Sequence, residues 1–326
     1  MARQDPTPPP GEFELIARYF RPLAAGREGA LELADDAALI DVPPGERLVV
    51  SADALVAGIH FLPDDPPDRI ARKMLRSNLS DLAAMGAKPL AYFMTCCFPR
   101  PLEESWLARF AAGLAEDQRE FGIALMGGDT TATPGPLTLS VTALGTVEAG
   151  RELRRSTAQV GDLVAVSGTI GDAALGYALR SGRLRAVEGA AMLLSRHDLP
   201  QPRMTLGRSL VGLASSCMDV SDGLAGDLAH IAAASGLGAV IEAAKVPLSP
   251  PARAVLARDP QWLKTILTGG EDYELLFTAP PEARVPRSFR GLPLTRIGVM
   301  RRGRAGHVDL DGKELPRGGW DHLAHR

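Results

Sequence analysis

Residues 123–147 read IALMGGDTTATPGPLTLSVTALGTV. The stretch opens with a short apolar run, meets a Gly-Gly-Asp turn, and resumes as a long segment with β-branched residues at intervals. Read as strand, acidic turn, strand, it supplies two neighbouring strands. Upstream, residues 103–121 read as a helix. Glu103 and Glu104 suit its first turn, Trp106, Phe110 and Leu114 share a face, and Gly122 ends it. Further upstream, residues 67–86 form another helical stripe through Ile70, Met74, Leu75, Leu82 and Met85, started by Pro67 and stopped by Gly86 and Pro89. Helices between strands give an α/β domain with a mixed sheet.

The same reading continues towards the N-terminus. EFELIARYF (12–20) reads as a short helix, and ALELADDAALIDV (30–42) and RLVVSADALV (47–56) as strands with acidic turns between them. Beyond residue 150 the chain resumes with LVAVSG, CMDV, AVIEA, YELLFTAP and LTRIGVM as strands. TIGDAALGYAL and GLAGDLAHIAAAS read as helices, and Asp311-Gly312 as a turn. The polar segment VEAGRELRRSTAQVGD marks a boundary near residue 150. With 326 residues, and roughly 150 per domain, about two domains are expected. We expect a Pro-rich disordered tail over 1–10, an N-terminal domain over 11–150 and an α+β C-terminal domain over 151–326.

Composition narrows the function classes. Hydrophobic residues make up 45%, charged residues 23%, and the net charge is −3, so no global field favours nucleic acid or an acidic membrane surface. No apolar run reaches the length of a membrane helix and the N-terminus lacks a signal-peptide core, so a cytoplasmic location is the expectation. Cys96, Cys97 and Cys217 suggest neither a disulfide framework nor a zinc site, and read as buried thiols.

Chemistry concentrates in acidic turns: ADDAA (Asp35, Asp36), SAD (Asp53), NLSD (Asp81), GGDTT (Asp129) and MDVSDG (Asp219, Asp222). Carboxylates at element ends can converge from distant segments. Mg²⁺ takes oxygen ligands and is usually held by one or two carboxylates together with substrate phosphates, so several such turns point to several ions and a large phosphate charge. Each motif has a plainer reading. GGDTT is also a strand-to-loop turn with an Asp cap, and its glycines allow close approach of a ligand. Asp222 or Ser221 also reads as a helix N-cap, Asp227 as a solvated helix charge, His60 as a structural histidine, and Asp81 as a surface charge. Glu271 and Asp272 stand before an apolar strand, either as a charged turn or as a substrate contact. Arg154 and Arg155 are placed so that one can fork onto a phosphate. The P-loop and protein-kinase signatures are absent.

Taken in order, ADDAALI, SADALVAGIHF, NLSDLAAMGAKP, GGDTT, GDLVAVSGTIGDAALG, MDVSDGLAGDLAHI and GGEDYELLF resemble the thiamine-monophosphate kinase family, over nearly the whole chain. That family lies in the superfamily of aminoimidazole ribonucleotide synthetase and selenophosphate synthetase. The resemblance implies the aminoimidazole ribonucleotide synthetase-like two-domain architecture, an N-terminal sheet paired with its twin in a homodimer, and ATP between the domains. It implies Mg²⁺- and ATP-dependent phosphorylation of thiamine monophosphate to thiamine diphosphate. By motif, Asp36, Ser51, the Ala52 carbonyl, Asp53, Asp81, Asp129, Asp219 and Asp222 would serve magnesium. Gly128, Asp129, Arg155 and Ser221 would contact ATP, and His60, Glu271 and Trp320 the thiamine phosphate. Ala34, Ala52 and Ala132 depart from the family's usual Gly, Thr and Arg, and none removes a carboxylate. The rival readings are another ATP-dependent synthetase of the superfamily, although no cysteine precedes Cys96 to serve a selenophosphate-type reaction, and a non-catalytic nucleotide-binding relative.

Overall fold

The computed structural model describes residues 11–315. The 1–10 tail and Trp320 lie outside the described residues. The chain divides into two compact units. One comprises the residues up to Val42 with Ala52–Leu75 and Pro89–Leu144, and the other Pro43–Ser51, Arg76–Lys88 and everything from Gly145 onward.

The N-terminal stretch forms α1 (Glu12–Leu15), a π-type turn (Ile16–Phe20) and 3-10 turns at Arg21–Ala24 and Glu28–Leu33. The strand expected over residues 30–42 does not form. Leu31, Glu32 and Leu33 take positive φ, and the Asp35-Asp36 segment is an exposed bend. A non-glycine residue in that region cannot continue a strand, and three in succession coil the chain.

A four-stranded sheet has the order β1-β4-β2-β3, with β1 Glu46–Val56, β2 Lys88–Pro99, β3 Leu125–Thr133 and β4 Thr138–Glu148. β2 and β3 run parallel. The helices α2 (Pro67–Ala84) and α3 (Glu104–Phe121) match the expected stripes. Tyr92, Met94, Cys96 and Phe98 alternate onto the buried face of β2, and α3 lies on it. Trp106 meets Phe98 edge-on at 5.9 Å and stacks on Phe110 at 5.1 Å, and Gln118 donates to the Tyr92 hydroxyl at 3.2 Å. Cys96 and Cys217 are buried and Cys97 is half-buried; none is bonded to another.

GGDTT is not a turn after β3 but its middle. Thr95 pairs with Asp129 and Met94 with Gly128. A Cβ at Gly128 would stand 1.9 Å from the Met94 carbonyl oxygen, and one at Gly127 would stand 2.9 Å from the Phe93 ring. Packing against β2 is therefore what demands the two glycines.

The second unit carries an eight-stranded mixed sheet, β12-β11-β7-β10-β5-β8-β6, with β9 paired to β10. Its strands are β5 Leu163–Ser167, β6 Ser216–Asp219, β7 Gly238–Ile241, β8 Leu275–Ala279, β9 Ser288–Phe289, β10 Leu292–Arg301, β11 Val308–Leu310 and β12 Lys313–Glu314. β10 runs antiparallel to β5 and β7, and β11 parallel to β7. Asp311-Gly312, both at positive φ, turns the chain between β11 and β12. The helices are α4 (Asp172–Arg180), α5 (Ala190–Asp198), α6 (Met204–Leu210), α7 (Leu224–Ala234), α8 (Pro250–Arg258) and α9 (Trp262–Thr268). Leu224, Leu228 and Ile231 of α7 bury with Val164, Val166, Leu276 and Ile297 of the sheet in one apolar core. Truncating one of these leucines to alanine is worth about 2–5 kcal/mol. Among the described residues, no helix is long and apolar enough to cross a membrane.

Candidate functional site

Within the second unit, two consecutive residues of α2 meet two distant segments. Ser80 Oγ donates to Asp219 Oδ2 at 2.7 Å, and Asp81 accepts a short hydrogen bond from Ser51 Oγ. β1, α2 and β6 thus converge, because Ser80 and Asp81 point in different directions from adjacent positions of one helix. Burial pushes the Asp219 carboxyl up to about 7, helped by repulsion from Asp81 and opposed by Ser80 and Arg155. Burial raises Asp81 as well, against Ser51 and the charge of Arg155. Two carboxylates held together out of water, with one guanidinium near them, form a strongly negative site that a hard cation would relieve. Asp81 is not the surface charge that its helix position suggests.

After β6 the chain turns through Ser221, Asp222 and Gly223 into α7. The Asp227 carboxylate reaches back from the first turn of that helix and accepts the backbone N–H groups of Asp222 at 3.1 Å and Gly223 at 3.0 Å. Asp227 is fully buried, and burial with repulsion from Asp219 and Asp222 drives its pKa well up. This corrects the expectation of a solvated charge. The residue is the clasp of the MDVSDG loop. The sequence signal for it was its place in the first turn, where orphan N–H groups attract a carboxylate. Gly223 has φ of 118°, and a Cβ there would stand 2.7 Å from the Thr268 carbonyl carbon, so the loop passes close to α9.

GGEDYELLF continues the construction. The Glu271 N–H donates to the Ser221 carbonyl and the Tyr273 N–H to the Val220 carbonyl, both at 2.8 Å. Glu271 and Tyr273 both hold positive φ, 70° and 50°. Non-glycine residues there cost about 1–3 kcal/mol each and persist only where the surroundings impose them. Asp272 between them is buried and accepts the N–H groups of Gly171 and Ala173, so it caps α4 rather than facing a ligand. Glu274 is buried too, accepting from Ser167 at 2.5 Å, Arg196 at 2.6 Å and Arg203 Nε at 2.7 Å. Exposed Arg154 pairs with Glu152, whereas Arg155 is the arginine whose charge reaches Asp81 and Asp219.

Along β1, Ser51 and Asp53 lie on the same side, as the alternation of burial along the strand shows. The Asp53 carbonyl accepts from Ser140 Oγ at 2.9 Å. Ala52 points the other way and is exposed. His60 Nδ1 accepts the Val56 N–H at 3.0 Å, which puts its own N–H on Nε2, and Lys73 Nζ donates to the His60 carbonyl at 2.9 Å. Asp129 is exposed on β3 beside Gly128. Asp53 and Asp129 therefore stand on the two outer strands of the sheet, with β4 and β2 between, and Asp36 on the exposed bend before β1. Among the described residues, no three Asp, Glu, His or Cys side chains form a cluster able to hold a metal alone.

Known proteins match the chain along both of its halves. Residues 34–147 match the AIR synthase related protein, N-terminal domain, and residues 159–311 match the AIR synthase related protein, C-terminal domain. The chain is 42% identical over 324 residues to thiamine-monophosphate kinase of Escherichia coli (strain K12), covering 96% of this chain and 98% of that one. The crystal structure of thiamine-monophosphate kinase from Stenotrophomonas maltophilia K279a superposes with a TM-score of 0.84 at 41% identity, covering 94% of this chain and 98% of that one. The structure of AaThiL complexed with AMPPCP and TMP gives a TM-score of 0.78 at 32% identity, covering 96% and 97%. With identity sustained across both halves and the acidic turns in place, the chain belongs to the thiamine-monophosphate kinase family.

Proposed function

We propose that this protein transfers the γ-phosphoryl group of ATP to thiamine monophosphate, giving thiamine diphosphate and ADP. Membership of the family supports the reaction. The observation that carries it is the meeting of Ser51, Asp81 and Asp219 under the charge of Arg155. The residues assigned to magnesium are Asp36, Ser51, the Ala52 carbonyl, Asp53, Asp81, Asp129, Asp219 and Asp222. Bound there, Mg²⁺ would neutralise and orient phosphate oxygens. Gly128, Asp129, Arg155 and Ser221 hold ATP in this reading, with Arg155 placed to fork onto its phosphates. His60, Glu271 and Trp320 hold thiamine monophosphate, His60 offering its Nε2–H.

Both substrates are anions, so the chain's task is to bring two phosphates together and shed water. The acceptor is a phosphate monoester whose second pKa is about 6, so it is already ionised and needs no general base. No side chain is assigned that role, and transfer is direct, without a phospho-enzyme. The chain acts in the cytoplasm as a homodimer, in the final step of thiamine diphosphate formation, with 11–150 as the metal and dimerisation domain and 151–326 completing the ATP and substrate site.

The test is incubation of the full-length protein with ATP, Mg²⁺ and thiamine monophosphate, with chromatography of the products. Stoichiometric thiamine diphosphate and ADP, lost in Asp129→Ala, is the expected result. ATP binding without product would favour a different acceptor or a silent relative, and a trapped phosphoryl-residue would refute direct transfer.

A further inference from the structure

The loop that carries Glu271 is held by one helix that no motif marks. From α5, Arg196 Nη2 donates to Glu274 Oε1 at 2.6 Å and reaches the Asp272 carbonyl at 3.4 Å. The next residue, His197, places Nδ1 at 2.8 Å from Glu271 Oε2. Consecutive residues of α5 thus grip alternate parts of GGEDYE. The His197 side chain is only 7% exposed, against 27% for Glu271, so a buried ring backs a carboxylate that is open to a ligand. Nδ1 makes no hydrogen bond of good geometry, and Glu271 Oε2, at 2.8 Å, is the carboxylate oxygen set against it.

The ring itself has little freedom. Tyr177 of α4 lies against it at 5.5 Å, tilted by 43°. α4 and α5 also approach so closely that a Cβ on Gly176 would stand 2.2 Å from the Leu193 carbonyl oxygen and 2.9 Å from the His197 Cβ. Glu271, by contrast, sits at positive φ on a loop.

We infer that His197 is a positioning residue for the acceptor substrate: it fixes the rotamer of Glu271, so that the carboxylate is presented to thiamine monophosphate already in place. The inference rests on the proposed substrate role of Glu271. A pre-set carboxylate spares the ordering cost at binding, so the loss belongs to the acceptor's affinity and not to ATP or to turnover.

The experiment is steady-state kinetics of the full-length enzyme, varying thiamine monophosphate and ATP separately, for His197→Leu, His197→Asn, His197→Gln, Glu271→Gln and the Glu271→Gln/His197→Leu double variant. The asparagine amide nitrogen can occupy the place of Nδ1, whereas the glutamine amide reaches that of Nε2. His197→Leu and His197→Gln are expected to raise the KM for thiamine monophosphate about tenfold, with kcat and the KM for ATP within about twofold and His197→Asn near wild type. In the Glu271→Gln background His197→Leu should add little. Equal behaviour of the Asn and Gln variants, a parallel rise in the KM for ATP, or full additivity in the double variant would overturn the inference while leaving Glu271 its role. An unchanged KM for thiamine monophosphate in Glu271→Gln would overturn that role and the inference with it. Should His197→Leu not fold, the Asn–Gln contrast decides alone.

Discussion

Asp219 and Asp227 are both buried aspartates of one motif, and their partners give them different work. Asp219 takes one hydroxyl, from Ser80, and faces Asp81. Asp227 takes two backbone N–H groups. Replacing Asp219 with Ala should lower turnover about 100-fold or more with little loss of fold, because it removes phosphate-site charge. Ser80→Ala, which only frees the carboxylate, should raise the Mg²⁺ concentration for half-maximal rate about tenfold. Asp227→Ala leaves two backbone donors, one of them buried, without their carboxylate and should cost about 2 kcal/mol in urea unfolding, whereas Asp227→Asn keeps an acceptor and most of that stability. From sequence, Asp219 reads as a metal candidate and Asp227 as a solvated helix charge; the backbone path of the loop is what turns the Asp227 carboxylate inward to N–H groups.

Two elements depend on single residues in ways that can be measured. β3 lies against β2 only because Gly128 has no side chain, with the Met94 carbonyl oxygen 1.9 Å from where a Cβ would stand. Gly128→Ala should force the strands apart, cost about 1–3 kcal/mol or more, and lower Tm and activity together. α4 depends on Asp272, which accepts the N–H groups of Gly171 and Ala173. Burial nevertheless pushes its carboxyl up to about 7, from an ordinary 3.8. Between these values the folded protein keeps a proton that the unfolded chain has released. Stability therefore falls as pH rises through this window, by at most about 1.4 kcal/mol per pH unit from this group, and levels off above it. Asp272→Asn imitates the protonated form. The difference in Tm between the variant and wild type should move in the variant's favour from about pH 4 to about pH 7, and a constant difference would contradict the assigned shift.

At the scale of the molecule, the fold rests on an apolar core in the second unit, so we expect it to stand without the proposed metal. Removing Mg²⁺ with a chelator should abolish phosphoryl transfer while leaving the circular dichroism spectrum and the substrate-free Tm unchanged. Much of this molecule was legible in its sequence. The stripes of α2, α3 and α7 and the strands LVAVS and LLFTA were readable because periodicity reports which face meets a core. The ordered acidic motifs identified the family, because each residue type was held at its own spacing. What the sequence misread was local. GGDTT lies within a strand, since the two glycines that read as a turn are what close pairing with β2 requires, and residues 30–42 coil, since positive φ at Leu31 to Leu33 overrode an apolar run. The tertiary structure alone decided that Asp81 meets Ser51 and that His197 backs Glu271. These are contacts between residues up to 74 positions apart, His197 and Glu271 being the most distant. No pattern within one segment encodes them; they exist only once separate elements have buried their apolar faces and brought the polar ends together.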